Sequence, residues 1–359
     1  MQLTKLMLSD FRSYRELTLD LSPGLTAICG PNGVGKTNLL EAIGLLATLK
    51  SFRGAPVDSL VHKGSDRGII RAEGLRDDRS VLIELELARG RTRAQVNRQK
   101  LRRARDLLGA LRVTFFTPDD LVLVKEGPAH RRGYLDDLAV ALDPGAHGLI
   151  SDIDRILKQR NALLRQSHGR LDEAAEMTLD VWDAKLSDAG TGLTVQREVL
   201  VAALSPLLNN YYRLLASDSD EVGVFYERSW KAPTLAEALA DGRRDDLRRS
   251  TTGVGPHRDE LRCTINGLAS RTEASQGEQR TLALAMRMAG HDLVAKRVGE
   301  PPLLLLDDVL SELDPERCHA LLANIPPGQT VITSAGGLPT HAETDHVLLL
   351  SHDGEIRHQ

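Results

Sequence analysis

Apolar and polar positions alternate at the start of the chain. Leu3, Leu6 and Leu8 open one strand, and Leu17, Leu19 and Leu21 repeat at every second position in another. Pro23-Gly24 marks a turn, and Leu25–Cys29 is a short apolar run of the kind a sheet buries on both faces. The period then changes. Leu39, Leu40, Ile43, Leu46 and Ala47 recur at helical spacing and predict a helix from Lys36 to about Leu49. Alternation returns at 69–72, 81–87 and 113–116.

From about residue 130 the pattern is helical. Segments 130–141, 149–165 and 171–216 are rich in Leu, Ala and Arg, broken by Asp143-Pro144-Gly145 and by Gly169. Gly190 and Gly192 weaken the third segment, which leaves open one helix or two. A strand at 222–226 and a helix at 235–249 follow. Strands at 260–265, 303–307, 330–334 and 346–350 then alternate with helices at 277–298 and 315–323. The pattern predicts an α/β domain made from both ends of the chain, residues 1–127 plus 251–359, with a mostly helical lobe, 128–250, inserted between.

Composition narrows the class. With 41% hydrophobic and 27% charged residues, the 359-residue chain is neither fibrous nor disordered. No apolar run approaches the ~18–20 residues of a membrane span, and the N-terminus lacks the apolar core of a secretory signal. Cys29, Cys263 and Cys318 lie far apart, without CxxC spacing, which suits reduced thiols in a cytoplasm and gives no zinc or disulfide framework. The net charge of -4 provides no global basic field, so any nucleic-acid binding needs a local patch.

Such a patch exists at 89–105, where Arg89, Arg91, Arg93, Arg98, Lys100, Arg102, Arg103 and Arg105 cluster. It can neutralise phosphates without reading bases, and a solvated hairpin fits the same letters. Arg131 with Arg132, and the arginines at 243–249, are weaker candidates. With aromatics at 3%, duplex backbone contacts are favoured over single-strand stacking.

The clearest chemistry lies at Gly30, Pro31, Asn32, Gly33, Val34, Gly35, Lys36 and Thr37, which read GxxxxGK[ST] between a predicted strand and a predicted helix. The glycines let successive N–H groups point inward, and the helix end adds partial positive charge. Lys36 would reach the β and γ phosphates of ATP, and Thr37 would hold Mg²⁺. Leu303 to Asp308 read four leucines and two acids, a buried strand ending where ligands of open α/β sheets lie. Asp307 would face the Mg²⁺ opposite Thr37, and Asp308 the attacking water. Ser275, Gly277 and Gln279 stand at the start of the 277–298 helix; an anion site fits these letters, but taken alone they read first as a plain capping box of Ser275 with Glu278.

Phosphate loop, SxGxQ helix and acidic strand, in that order, resemble the ATP-binding-cassette ATPases, which implies an ABC-type P-loop ATPase head. In that family Ser275 and Gly277 would cap the γ-phosphate held by a second protomer, and Ser311 and Asp314 would belong to the D-loop at the dimer seam. The 239 residues between Lys36 and Ser275 suit neither transporter cassettes nor the long coiled coils of SMC proteins. The wording is similar to the RecF family: Leu8 to Tyr14, Gly30 to Ile43, Ser51-Phe52-Arg53, Phe116 to Asp120, Pro128 to Arg132 and Gly255-Pro256-His257-Arg258-Asp259. The resemblance implies ATP-dependent binding to duplex DNA at gaps, recombinase loading, slow ATP hydrolysis, RecR and RecO as partners, and a homodimer formed on ATP.

Three departures from the cassette pattern stand out. Asp308 replaces the usual catalytic glutamate, and the strand at 331–335 carries no histidine where the family's switch histidine sits, with Thr333 or Ser334 as the substitute. No Q-loop glutamine is evident; Asp119 or Asp120 stands in its place. Arg53 is a candidate for the γ-phosphate by analogy with SMC heads. A transporter subunit and a nucleotide-dependent protein scaffold are the competing readings, and the 89–105 patch discriminates the second.

Overall fold

The computed structural model describes residues 1–216, 220–339, 344–351 and 356–358. The first compact unit comprises Met1–Asp120, Leu214–Ala216 and Leu284–Gln359. It holds β1 (Gln2–Phe11), β2 (Tyr14–Asp20), β3 (Leu25–Cys29), α1 (Lys36–Thr48), β4 (Arg67–Arg76), β5 (Arg79–Ala88), β6 (Arg91–Val96), β7 (Gln99–Lys100) and β8 (Val113–Phe116). The second comprises Leu121–Arg213 and Ser217–Ala283. Its elements are α2 (Val122–Lys125), α3 (Pro128–Leu142), α4 (Ala146–Gln166), most of α5 (Glu173–Ala216), β9 (Val222–Glu227), α6 (Leu235–Arg249), β10 (Glu260–Ile265) and β11 (Leu268–Ala269). Helix α7 (Gln276–Val298) begins in the second unit and ends in the first. The first unit is completed by β12 (Leu303–Asp307), α8 (Pro315–Ala323), β13 (Thr330–Ser334), β14 (His346–Leu350) and β15 (Ile356–His358).

Two sheets build the first unit. One is antiparallel, in the order β2-β1-β4-β5-β6-β7; the other runs β15-β14-β3-β13-β12-β8, parallel except at its β15 edge. Helix α1 packs on strands of both sheets. That explains why its apolar residues surround the axis instead of forming a stripe: Leu39, Leu40, Ala42, Ile43, Leu45 and Leu46 are all buried. They share one core with Leu3, Leu6 and Leu8 of the first sheet and Leu303, Leu305 and Val331 of the second.

Within the 171–216 segment the helix is single, α5, with 44 residues from Glu173 to Ala216, which resolves the question left by its glycines. Gly190 serves close packing: a Cβ there would lie 2.7 Å from Leu235 Cδ2 and 3.2 Å from Pro256 Cδ. The core of this unit joins Ile153, Ile156, Leu186, Leu193, Trp230, Leu235 and Leu239.

The contact pattern also groups 251–283 with the inserted helices, where the sequence pattern assigned it to the ATPase lobe. Antiparallel pairing of β10 with β9 holds it there, together with Arg131 bridging both carboxylate oxygens of Glu260 at 2.8 Å. Arg197 adds a 2.7 Å bond to the Pro256 carbonyl. Among the described residues, no helix is long and apolar enough to cross a membrane.

Candidate nucleotide site

Strand β3 ends at Cys29, and residues 30–35 carry the chain into α1. Gly35, the N-cap, has φ 110°, and a Cβ on it would meet Tyr14 Oη at 2.6 Å, so both conformation and space require glycine. No side chain caps α1, and its first turn carries no acid. The helical hydrogen bonds begin with Asn38 and Leu39 N–H donating to the Gly35 carbonyl, at 2.9 and 3.3 Å. The helix end therefore presents partial positive charge to the adjoining cleft. Lys36 is buried and folds back on the loop, its Nζ donating to the carbonyls of Gly30 (2.6 Å) and Pro31 (2.8 Å).

Strand β13 lies between β3 and β12, and its register pairs Thr333 with Asp307. Thr333 Oγ1 donates to Asp307 Oδ1 at 2.7 Å, and Thr37 Oγ1 donates to the same oxygen at 3.0 Å. Burial pushes the Asp307 carboxyl up from the ordinary carboxylate range; these two hydroxyls oppose the shift, the Asp308 charge adds to it and the Arg53 charge opposes it. Asp308 is a non-glycine residue at φ 48°, and its N–H donates to Thr333 Oγ1 at 2.9 Å. Such a left-handed aspartate stores strain within the acidic pair.

Around these groups lies a cleft of about 270 Å³, lined by Asn32, Gly33, Gly35, Lys36, Thr37, Asn38, Arg53, Asp307 and Asp308. The fold thus brings together the phosphate loop and both acids, as well as Arg53. Of the two candidates for the missing histidine, Thr333 touches both acidic residues, whereas Ser334 Oγ is spent on the Gly337 carbonyl at 2.6 Å. Asn38 has no motif of its own; only its place one residue beyond Thr37 could have marked it as a cleft residue.

The other candidates have structural partners or are exposed. Ser275 and Glu278 form a reciprocal cap on α7: Ser275 N–H donates to Glu278 Oε2 (2.6 Å), and Glu278 N–H donates to Ser275 Oγ (3.3 Å). Ser275 is exposed and Gly277 half-buried, but Gln279 is buried, its Nε2 donating to the Ser270 (3.0 Å) and Arg271 (3.1 Å) carbonyls. Ser311 Oγ donates to the Asp308 carbonyl at 2.7 Å, and Asp314 caps α8 through the Arg317 N–H at 2.9 Å. That cap holds the Asp314 carboxyl below its ordinary range. Asp120 is buried in an ion pair with Arg287 (2.5 Å), while Asp119 is exposed.

The basic cluster occupies the β6–β7 hairpin and its flanks. Asn97 and Arg98 both have positive φ, as a tight two-residue hairpin turn needs. Arg89, Arg91, Arg93, Arg98, Lys100, Arg102, Arg103 and Arg105 are all exposed, and Arg93 leans on Glu86 at 3.2 Å. Arg131 is buried against Glu260, and Arg243 pairs with Asp180 and Asp183, so both have structural partners.

Two sheets around one helix, with the phosphate loop facing a buried acidic strand end, define a P-loop ATPase head. The family model described as RecF/RecN/SMC N terminal domain matches residues 2–334. The DNA replication and repair protein RecF of Streptomyces avermitilis is 44% identical over 351 residues, covering 93% of each chain. The protein of the same description from Frankia alni is 42% identical over 354 residues, again 93% of each. Among solved structures, that of the recombination mediator protein RecF-ATP in the RecFOR pathway superimposes with a TM-score of 0.90 at 29% identity, covering 100% of this chain and 97% of the other. The chain belongs to the RecF family of DNA replication and repair proteins, with the ABC-type ATPase head and helical insertion of that family.

Proposed function

We propose that this protein is an ATP-dependent DNA-binding ATPase of recombinational repair and replication, which closes as a dimer around two ATP molecules to clamp duplex DNA at gaps. The observation that carries the reading is the open, uncapped end of α1, with Lys36 and Thr37 beside Asp307 in one polar cleft. The backbone of residues 30–37 cradles the phosphates. Lys36 exchanges its two loop carbonyls for phosphate oxygens, a charge-assisted replacement for neutral hydrogen bonds.

Thr37 Oγ1 and Asp307 Oδ1, 3.0 Å apart, are hard oxygen donors suited to Mg²⁺. When bound, that ion neutralises charge on the β and γ phosphates. Asp308 orients the attacking water. Its side chain is one methylene shorter than glutamate, which supports slow hydrolysis used as a switch. Ser275 and Gly277 of one copy meet the nucleotide of the other, Gln279 holds the loop that presents them, and Ser311 and Asp314 lie at the seam. The exposed arginines of the β6–β7 hairpin take the DNA backbone. RecR- and RecO-type proteins are the partners, and the cytoplasm is the compartment.

Sedimentation with a labelled duplex, with and without Mg²⁺ and a slowly hydrolysed ATP analogue, tests this. Nucleotide-dependent dimer travelling with duplex is expected. Dimer without DNA would favour a protein scaffold, and indifference to nucleotide would remove the composite site.

A further inference from the structure

A buried carboxylate on α1 has no part in the chemistry above. Glu41 lies one turn beyond Thr37, and its side chain is fully enclosed. Arg12, on the β1–β2 turn at φ 52°, grips it with two hydrogen bonds of 2.8 Å. Arg12 is itself held: Nη1 donates to the Ser59 carbonyl (3.1 Å), and its own carbonyl meets His62 Nδ1 (2.8 Å). Enclosing a carboxylate costs free energy unless its oxygens are fully engaged, and removing either partner leaves a charge stranded.

Glu41 also engages a third group. Ser51 Oγ donates to Glu41 Oε1 at 2.5 Å and accepts the Arg53 N–H at 3.1 Å. One hydroxyl thus joins the buried carboxylate to the backbone of Arg53. Phe52, between them, stacks on Phe115 with ring centroids 4.8 Å apart, which fixes the same loop from the core side. Arg53 is exposed and lines the cleft with Lys36, Asp307 and Asp308, close enough to Asp307 for its charge to act on that carboxyl. A long cationic side chain on a free loop would sample many positions, at a cost in entropy whenever a ligand ordered it.

We infer that Glu41, acting through the Ser51 hydroxyl, is a positioning residue that holds Arg53 at the terminal-phosphate end of the cleft, so that triphosphate is distinguished from diphosphate. The inference rests on the nucleotide reading above. Helix α1 then sets both cations of the site: Lys36 directly, and Arg53 through the carboxylate five positions further on.

Binding of a slowly hydrolysed ATP analogue and of ADP to the full-length protein, by calorimetry with Mg²⁺, tests it. Arg53→Ala should lower the preference for the triphosphate about tenfold, and Ser51→Ala several-fold. Ser51→Thr, which keeps the hydroxyl, should restore it. The double variant should lose no more than Arg53→Ala alone, because one residue acts through the other. Glu41→Gln strands Arg12 and can unfold the chain, so the Ser51 variants carry the test. If Ser51→Ala weakens both nucleotides equally, or its effect adds to that of Arg53→Ala, the hydroxyl serves only the fold and the inference is overturned. If the unaltered protein binds neither nucleotide, the nucleotide reading fails first.

Discussion

The N-termini of α1 and α7 both carry motif residues, and they are built in opposite ways. That of α1 has a glycine N-cap, no side-chain cap and no acid in its first turn. That of α7 has a serine and a glutamate closed on one another. The first leaves its electrostatic demand open, so an anion is its natural complement. The second has met that demand internally and offers an exposed hydroxyl with a weakened field. A signature of this kind adds to a phosphate already held elsewhere; it does not recruit one. This difference supports the proposal that α1 holds the phosphates first and that α7 acts in trans.

The contrast breaks most directly at Lys36. Lys36→Met removes the only ammonium that the phosphate loop supplies and should weaken ATP binding by about 3 kcal/mol or more, at least a hundredfold. Fluorescence titration with a labelled ATP analogue reads this. Retention of affinity within about fivefold would mean that α1 is no more an anion site than α7.

The second prediction concerns buried titratable groups on the same two helices. Glu41 on α1 is matched by Arg12, whereas among the described residues His291 on α7 has only Thr114 Oγ1, 3.2 Å from Nδ1, and no partner at Nε2. Burial lowers the His291 pKa to about 4, with Asp292 opposing the shift, and His257 in the second unit is likewise lowered to about 4 by burial. The unfolded chain, with ordinary imidazoles near 6.5, then binds more protons than the native one as pH falls. Stability is intact above pH 6.5 and declines towards pH 4, by about 3 kcal/mol for each residue. Urea denaturation at pH 7 and pH 5 should show the decline, and His291→Gln should cut it to about half, the share of His257 remaining. An unchanged slope in that variant would mean that the imidazole charges without cost.

What was legible before the fold was known follows from the same physics. The phosphate loop and acidic strand are written locally: φ 110° at Gly35 and an unbroken leucine run at 303–306 leave a signature in adjacent letters. Arg53 reached the list of candidates only through resemblance, since its backbone is tied through the Ser51 hydroxyl to a carboxylate twelve positions away, a link that adjacent letters do not show. Gly190 left one helix or two open because propensity sees a missing side chain and cannot see Leu235 and Pro256 packed against the gap. The grouping of 251–283 with the inserted helices turns on β10 pairing with β9, and strand partners are not encoded in either strand alone.

Ser275→Arg sharpens the comparison from the α7 side. Ser275 is exposed, so the arginine is accommodated in the isolated chain at the cost of the cap, about 1 kcal/mol. ATP affinity should stay within about twofold, while the ATP-dependent dimer weakens at least tenfold, a difference of about 1.4 kcal/mol. Analytical ultracentrifugation with nucleotide measures it. Normal dimerisation would remove α7 from the composite site.

The smallest effect separates the two helix ends most finely. Glu278 accepts the Ser275 N–H at 2.6 Å and places a negative charge in the first turn of α7. Glu278→Ala should therefore destabilise the fold by about 0.5–1 kcal/mol, from the lost half of the box and the lost charge–dipole attraction. Its effect on the dimer should run the other way. Without the carboxylate, the α7 end carries more of the open, positive character of α1, and a nucleotide phosphate from a second copy meets less repulsion. Thermal unfolding and nucleotide-dependent dimerisation of the one variant should move in opposite directions. If the variant loses the dimer along with stability, the carboxylate is a structural requirement of the interface, and the two helix ends differ for a reason other than the one argued from their caps.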